Sequence, residues 1–205
     1  MDTQRWSIPS ATGGLSTKSN MKRPFDGDRF IHAEIIRLCA KHRVEIAVET
    51  GTQYGVTARA LSEIVDRVYT VDIYDKFVAL TQVPNIFAFQ GNSPEVLDQI
   101  ILPDVISRTT KPVLFYLDAH GNGKSPILEE LATIAKHKIL LPVIAIHDFK
   151  VDWMGYDTYD GVDLGMEMVA PGLKEIYQGL GFDFHTNRKD RSEGPMRGIL
   201  YVEGE

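Results

Sequence analysis

VEIAVETGTQYG, residues 44–55, is the stretch of sequence that decides the fold class. Its first six residues, 44–49, have the apolar character of a buried strand, and the rest is a turn with two glycines that leads into an apolar helix pattern, TARALSEIV (57–65). A second apolar run, RVYTVDI (67–73), completes a strand–helix–strand unit. Because parallel strands need a crossover connection and the helix supplies it, this unit predicts a parallel sheet.

Strands and helices continue to alternate along the chain. The apolar patterns predict a helix from Asp28 to near His42 before the unit, and after it strands at IFAFQ (86–90), PVLFYLD (112–118) and LPVIAIHD (141–148). Ser93-Pro94 and Ser125-Pro126 mark two helix starts, since serine caps free backbone amides and proline fits the first helical turn. A helix at 167–179 is followed by GFDFHTN (181–187) and RGILYVE (197–203), which predict a terminal hairpin. The pattern indicates an α/β fold with helices on both faces of the sheet.

The length of 205 residues predicts one domain, over 28–205, preceded by a tail or flap over 1–27 in which Trp6 is the residue expected to dock. The net charge of −6 and the lack of a Lys/Arg cluster argue against nucleic acid as a partner. No apolar run approaches the roughly 20 residues that span a bilayer, and the amino terminus lacks a secretory signal pattern. We therefore expect a cytoplasmic protein with a small-molecule partner and no membrane partner; a homo-oligomer is compatible with the sequence.

The glycine loop, Glu49 to Gly55, is the strongest local feature. Gly51 permits a tight turn and a close approach of ligand to backbone, and Gly55 lets the following helix pack near the strand. A dinucleotide fold would show G-x-G-x-x-G, whereas this loop has G-x-x-x-G after an acid. A carboxylate beside the loop would repel a pyrophosphate, whereas it would attract the ammonium group of S-adenosylmethionine. The alternative for the loop is a turn that serves packing alone, and the alternative for the protein is a nucleotide-dependent oxidoreductase.

Two further segments are expected to contact the cofactor. Asp72 ends the second strand, where a carboxylate can accept both ribose hydroxyl hydrogen bonds. A cap on the next turn is the alternative for Asp72, and Asp75 competes for the ribose role. Gly91-Asn92-Ser93 follows the third strand and is expected to meet the adenine edge, while Ser93 also fits a helix cap.

Acids and imidazoles follow the next two strands: Asp118 and His120 after the fourth, His147 and Asp148 after the fifth. Open α/β sheets bind ligands at this edge, and burial of such groups is costly unless they are paired, hydrated or bound to metal. These residues predict a divalent cation site or a general base, with purely structural pairing as the alternative. The aromatic and acidic loop 152–166 is predicted to form one wall of an acceptor pocket that orders on binding, or else a solvated connection.

Taken in order, VETGTQYG, the acid of TVDIYD, FQGNSPEVL, FYLDAHGNGKSPILEEL and VIAIHDF resemble the successive motifs of class I S-adenosylmethionine-dependent methyltransferases. More narrowly, they resemble the small O-methyltransferase-like group related to macrocin O-methyltransferases and cephalosporin hydroxylase-type proteins. The resemblance covers Asp28 to Glu203. It implies a Rossmann-like seven-stranded sheet, mostly parallel with an antiparallel last strand, and helices on both faces.

The resemblance also implies roles for residues. Glu49, Gly51, Gly55 and Asp72 take the positions that hold the cofactor in this family. With their neighbours, the predicted S-adenosylmethionine site comprises Glu49, Thr50, Gly51, Thr52, Gly55, Asp72, Gly91, Asn92, Ser93 and Asp118.

Metal-dependent relatives place a carboxylate after the fourth strand and a carboxylate pair, or an acid with an amide, after the fifth. Asp118 and Asp148 match this pattern, whereas His147 stands where many relatives have an oxygen ligand. The expected ion is Mg²⁺, and ligation by imidazole would favour Mn²⁺, Fe²⁺ or Zn²⁺. The expected activity is methyl transfer to a hydroxyl of a small molecule, a sugar or a natural product, with Asp118 and His120 catalytic and His120 as the base. A hydroxylase-type enzyme or a non-catalytic binding module on the same fold is the alternative.

Overall fold

The computed structural model describes residues 23–75, 83–120, 125–178 and 180–204; the predicted tail up to residue 22, with Trp6, lies outside them. Seven strands of the described residues form the main sheet: β1 (Ile46–Thr50), β2 (Arg67–Asp72), β3 (Ile86–Gln90), β4 (Leu114–Leu117), β5 (Val143–His147), β8 (Phe182–Thr186) and β9 (Ile199–Gly204). Their order in the sheet is β3-β2-β1-β4-β5-β9-β8. The strands β1 to β5 are parallel, and β9 pairs antiparallel with both β5 and β8.

Helices cover both faces of this sheet. They are α1 (Arg29–His42), α2 (Val56–Ser62), α3 (Ser93–Val96), α4 (Leu102–Arg108), α5 (Ile127–His137) and α6 (Met166–Tyr177). A π-helical segment, Leu97–Ile101, joins α3 to α4, and a two-stranded hairpin, β6 (Thr158–Tyr159) and β7 (Val162–Asp163), lies between β5 and α6. No helix among the described residues is long and apolar enough to cross a membrane.

The two faces of the central strands bury separate apolar clusters. Val48 of β1 and Phe115 of β4 lie in the cluster that contains residues of α5 and α6, whereas their neighbours Ala47 and Leu114 lie in the cluster that contains residues of α1 and α2. Because successive residues of a strand point to opposite faces, strands buried on both sides read as continuous apolar runs. The predicted α/β class, the parallel sheet and the antiparallel last strand are therefore confirmed.

The ends of the elements differ from the predicted ends for local reasons. Arg43 adopts a left-handed conformation and the amide of Val44 donates to the Cys39 carbonyl, so residues predicted to begin the first strand instead close α1. Leu141, predicted to begin the fifth strand, also has a positive φ of 39° and belongs to a turn. Such residues are apolar enough to match a strand pattern, but the helix end and the turn determine their backbone conformation.

Residues 23–28, called the strap below, form part of the folded domain rather than a tail. Phe25 is 1% exposed, and its ring packs edge-on against Tyr116 at 5.4 Å between centroids. The amide of Phe25 donates to Thr57 Oγ1 of α2 at 3.2 Å. A single aromatic residue in a polar stretch gives no periodic signal, so sequence patterns missed this anchor.

Replacement of Phe25 by Ala should therefore destabilise the domain. We expect a loss of about 3 kcal/mol in the free energy of unfolding, because a buried ring is removed and a cavity remains. Phe184 of β8 is 56% exposed, so Phe184→Ala is the matched control and should cost less than about 1 kcal/mol. Urea unfolding measures both variants, and equal losses would show that Phe25 is not a core residue.

Candidate active site

The glycine loop packs against the end of β4. Gly51 has φ +88°, and a Cβ atom at this position would lie 2.4 Å from the carbonyl oxygen of Asp118. Gly55, with φ +68°, precedes the first residue of α2. Both glycines therefore occupy conformations that residues with side chains rarely adopt, and position 51 has no room for a side chain.

Glu49 and two threonines form a buried polar group behind this loop. Thr70 Oγ1 donates to Glu49 Oε2 at 2.5 Å, and Thr52 Oγ1 lies 2.6 Å from Thr70 Oγ1. Burial raises the pKa of Glu49 to about 8. Thr50, the remaining predicted cofactor residue of this strand, is fully buried. A cation beside Glu49 would favour the ionised form of this carboxyl. The ammonium of the predicted cofactor is such a cation.

Asp72 joins the end of β2 to the glycine loop. Its Oδ2 accepts from the amide of Gln53 at 2.9 Å, and its Oδ1 accepts from the amide of Tyr74 at 3.0 Å. The hydrogen bond from Tyr74 caps the turn after β2, which is the alternative role predicted for Asp72. Carboxylate oxygens have further lone pairs, so this cap leaves the ribose role compatible with the structure.

Gly91-Asn92-Ser93 lies beside Asp72, because the amide of Gly91 donates to the Asp72 carbonyl at 2.9 Å. The prediction that Ser93 caps a helix with its hydroxyl is wrong. Asn92 holds the cap position without a side-chain bond, and Ser93 Oγ donates to Glu130 Oε1 at 2.5 Å. A buried carboxylate is a strong acceptor and takes the hydroxyl away from the helix amides.

Glu130 is a site residue that sequence patterns missed. It lies in the first turn of α5, is 1% exposed, and lines a cavity together with Asp118 and His120. Burial raises its pKa to about 7, against the hydrogen bond from Ser93. A signal was present in the sequence, because Glu130 lies three residues after Ile127 and four before Ile134, on the apolar face of the helix.

The four polar residues predicted at the ends of β4 and β5 meet in one place. Asp118 Oδ1 lies 3.0 Å from His147 Nδ1 and 3.1 Å from His120 Nε2. Asp148 Oδ2 lies 3.0 Å from His120 Nε2, and its Oδ1 lies 3.3 Å from His147 Nδ1. Both carboxylates therefore contact both rings.

Two further charged residues complete this group, and neither was predicted. Arg197, two residues before β9, pairs through Nε with Asp148 and through Nη2 with Asp157. Asp157 Oδ2 lies 2.9 Å from His120 Nδ1 and accepts from the Tyr159 hydroxyl at 2.9 Å. We call the following six residues the acid–histidine cluster: Asp118, His120, His147, Asp148, Asp157 and Arg197.

The charges of the acid–histidine cluster shift the pKa values of its members. Hydrogen bonds to Asp118 and Asp148 raise the pKa of His120 to about 10. Burial opposes charge on His147, but the two carboxylates raise its pKa well above the usual value. Burial likewise opposes ionisation of Asp148, but the two rings and Arg197 hold its pKa far below the ordinary range. The carboxylates therefore favour the protonated form of both rings, and Arg197 adds a further positive charge beside them.

The donor set of the cluster fits a divalent cation. Asp118, His147 and Asp148 each offer a ligand atom, and these atoms lie within 4.8 Å of one another. His147 Nε2 is buried and has no hydrogen-bond partner among the described residues. Two carboxylate oxygens and an imidazole nitrogen suit Mg²⁺ less well than Mn²⁺, Fe²⁺ or Zn²⁺. Because the carboxylates are already neutralised, a cation would bind by displacing protons from the rings.

Two cavities share Asp118 as a wall. The first is lined by residues 51–53 of the glycine loop, by α2, and by Arg23 and Asp26 of the strap. The second is lined by His120, His147, Glu130 and Tyr159. The first cavity is the candidate cofactor site and the second the candidate acceptor site.

Known structures share this fold. An O-methyltransferase of tomaymycin synthesis from Streptomyces achromogenes, in complex with S-adenosylmethionine, is 15% identical with a TM-score of 0.57, over 85% of this chain and 79% of that chain. An S-adenosylmethionine-dependent methyltransferase from Aquifex aeolicus is 15% identical with a TM-score of 0.57, over 90% and 94%. An O-methyltransferase from Bacillus cereus in complex with S-adenosylhomocysteine is 12% identical with a TM-score of 0.54, over 85% and 80%.

Sequence comparison gives no further assignment, because no protein-family model matches the chain and no curated protein is significantly similar to it. At these identities the structural matches show the fold alone. The chain has the Rossmann-like fold of class I methyltransferases, as the sequence motifs implied.

Replacement of Gly51 by Ala tests the close contact between the glycine loop and β4. We expect a loss of at least about 3 kcal/mol in the free energy of unfolding, from left-handed strain together with the clash against Asp118. Gly161 has a similar φ of +79° with no atom near its Cβ position, so Gly161→Ala should lose only about 1 kcal/mol. Urea unfolding compares them, and similar losses would mean that strain alone explains Gly51.

Proposed function

We propose that the protein transfers the methyl group of S-adenosylmethionine to a hydroxyl oxygen of a small molecule, a sugar or a natural product. The observation that carries this proposal is the contact of Gly51 with Asp118. It makes Asp118 a wall of both the cavity at the glycine loop and the cavity at the acid–histidine cluster. A donor in the first cavity and an acceptor in the second would then be neighbours, as transfer requires.

The residues at the ends of β1, β2 and β3 have the chemistry that this cofactor needs. Glu49 is a buried acid suited to an ammonium, and Asp72 is a carboxylate with lone pairs left for ribose hydroxyls. Gly91 lies next to Asp72, and Gly91-Asn92-Ser93 is the proposed contact of the adenine edge. The loop has the G-x-x-x-G form rather than G-x-G-x-x-G, which disfavours a pyrophosphate ligand.

His120 is the proposed base, and its environment determines when it can act. S-adenosylmethionine supplies a methyl on a cationic sulfur, so the protein must align the acceptor and remove its proton. Asp157 and Tyr159 hold Nδ1 of His120, while Asp118 and Asp148 face Nε2. The last two carboxylates hold a proton on the ring, whose pKa of about 10 makes it cationic at neutral pH.

A divalent cation, when bound by Asp118, His147 and Asp148, would orient acceptor oxygens and lower the pKa of the hydroxyl. With their charge neutralised by such an ion, Asp118 and Asp148 would no longer hold the proton on His120. The pKa of the ring would then lie below about 10 and closer to its ordinary value of 6.5, so that His120 could accept the hydroxyl proton. The donor set of the cluster suits a cation, and His120 must be neutral to act as a base. Both points therefore support a divalent cation held by Asp118, His147 and Asp148.

The loop 152–166 is the proposed wall of the acceptor pocket. Its backbone is anchored, because the amide of Asp157 donates to the Asp148 carbonyl and the amide of Gly155 to the Met196 carbonyl, both at 2.9 Å. Tyr159 lines the second cavity, and Trp153 is 83% exposed. Exposed aromatic rings beside acids suit a hydroxylated acceptor.

The cofactor proposal predicts that calorimetry will show micromolar binding of S-adenosylhomocysteine. Asp72→Ala should weaken this binding by about 1–3 kcal/mol, because the ribose hydroxyls lose their acceptor. Asp75→Ala is the matched control and should leave the affinity unchanged. A loss at Asp75 instead would move the ribose role there. Binding of NAD(H) without binding of either sulfur cofactor would refute the methyltransferase proposal.

The metal proposal predicts that Mn²⁺ binds the protein and that Asp148→Asn weakens this binding at least about tenfold, since a ligand charge is removed. Asp163→Asn, at an exposed carboxylate paired with Lys150, is the control and should leave Mn²⁺ affinity unchanged. Electron paramagnetic resonance measures free Mn²⁺, and calorimetry should show that Asp148→Asn still binds S-adenosylhomocysteine.

Methyl transfer, read as a product heavier by one methyl in place of hydrogen, should stop in chelator and return with added cation. Full activity in chelator would leave His120 and Asp118 as a metal-free acid–base pair.

A further inference from the structure

The strap forms one wall of the cavity at the glycine loop. Arg23 and Asp26 line this cavity together with residues 51–53 and Asp118. Arg23 is the one cationic side chain among the described residues that line it. Among the described residues, no carboxylate lies within ion-pairing distance of the Arg23 guanidinium. The cavity thus combines two acids with one arginine that has no acidic partner there.

The strap is held in place by contacts on both sides. Phe25 is buried and bonds to Thr57, and Asp28 accepts from the amide of Glu193 at 2.9 Å as well as capping α1. Phe25 and Asp26 both adopt left-handed φ values, 52° and 54°. Such conformations are costly for residues with side chains and persist only where surrounding contacts impose them. Arg23 therefore extends from an anchored segment rather than from a free tail.

We propose that Arg23 binds the carboxylate of the amino-acid end of the methyl donor, so that the strap selects a cofactor that carries this group. This inference rests on the proposed function, which places the cofactor in this cavity. A guanidinium pairs with a carboxylate through two parallel charge-assisted hydrogen bonds. The acids Asp26 and Asp118 on the same cavity complement the cationic groups of the ligand.

The test compares ligands that differ at the carboxylate. Calorimetry on the full chain would use S-adenosylhomocysteine, decarboxylated S-adenosylmethionine, which lacks only the carboxylate of the donor, and 5′-methylthioadenosine, which lacks the whole amino-acid end. Arg23→Ala should weaken S-adenosylhomocysteine about 10- to 100-fold, the effect of losing charge-assisted hydrogen bonds. The same variant should leave the affinities of the other two ligands within about twofold.

Arg29→Ala is the matched control, because Arg29 lies just after the strap, is exposed and pairs with Glu193 outside the cavity. It should leave all three affinities unchanged. An Arg23→Ala variant that binds S-adenosylhomocysteine as the wild type does, or that weakens all three ligands equally, would overturn the role of Arg23 and leave the proposed function intact. A wild-type protein that binds none of the three ligands would overturn the proposed function itself.

Discussion

The approach of Gly51 to the Asp118 carbonyl is the constraint on which the site depends. Only a residue without a side chain lets the loop after β1 come this close to the end of β4. The two strands are neighbours in the sheet, so their carboxyl ends already share one edge. Because Gly51 lies against Asp118, this residue lines both the cavity at the glycine loop and the cavity at the acid–histidine cluster.

Charge balance governs the second half of the site. Isolated ions inside a protein are costly, and the cluster avoids this cost by pairing three carboxylates with Arg197 and two cationic rings. The same balance would make the binding of a divalent cation an exchange, in which the ion replaces protons of the rings. Affinity for a cation should therefore rise with pH, as it does wherever ligands must lose protons. Arg197 keeps its proton throughout and holds Asp148 toward the cluster.

Sequence patterns predicted those features that follow from sheet geometry. Buried parallel strands are continuous apolar runs, and residues just after such strands must meet at one edge, so Asp118, His120, His147 and Asp148 were found together. Contacts that depend on the path of loops were not predictable in this way. Arg197 reaches the cluster only because β9 inserts beside β5, and Ser93 was assigned a cap because no residue near it in the sequence indicates its contact with Glu130, 37 residues later. The predicted helix end near His42 was confirmed, but the predicted strand start at Val44 was wrong, because the amide of Val44 closes that helix after the left-handed residue Arg43.

His147 lies between the strap and the other residues of the acid–histidine cluster, at a position where a carboxylate would be the simpler ligand for a cation. Its Nδ1 faces Asp118, while its Nε2 lies 3.9 Å from Asp26 Oδ2 of the strap. At 3.9 Å, Nε2 has no hydrogen bond to Asp26 among the described residues, so this carboxylate acts on the ring through space and favours a proton on Nε2. The negative charge of Asp26 lies on the side of the cavity at the glycine loop. Through this ring, the electrostatics of the cavity at the glycine loop and the basicity of the cluster depend on each other.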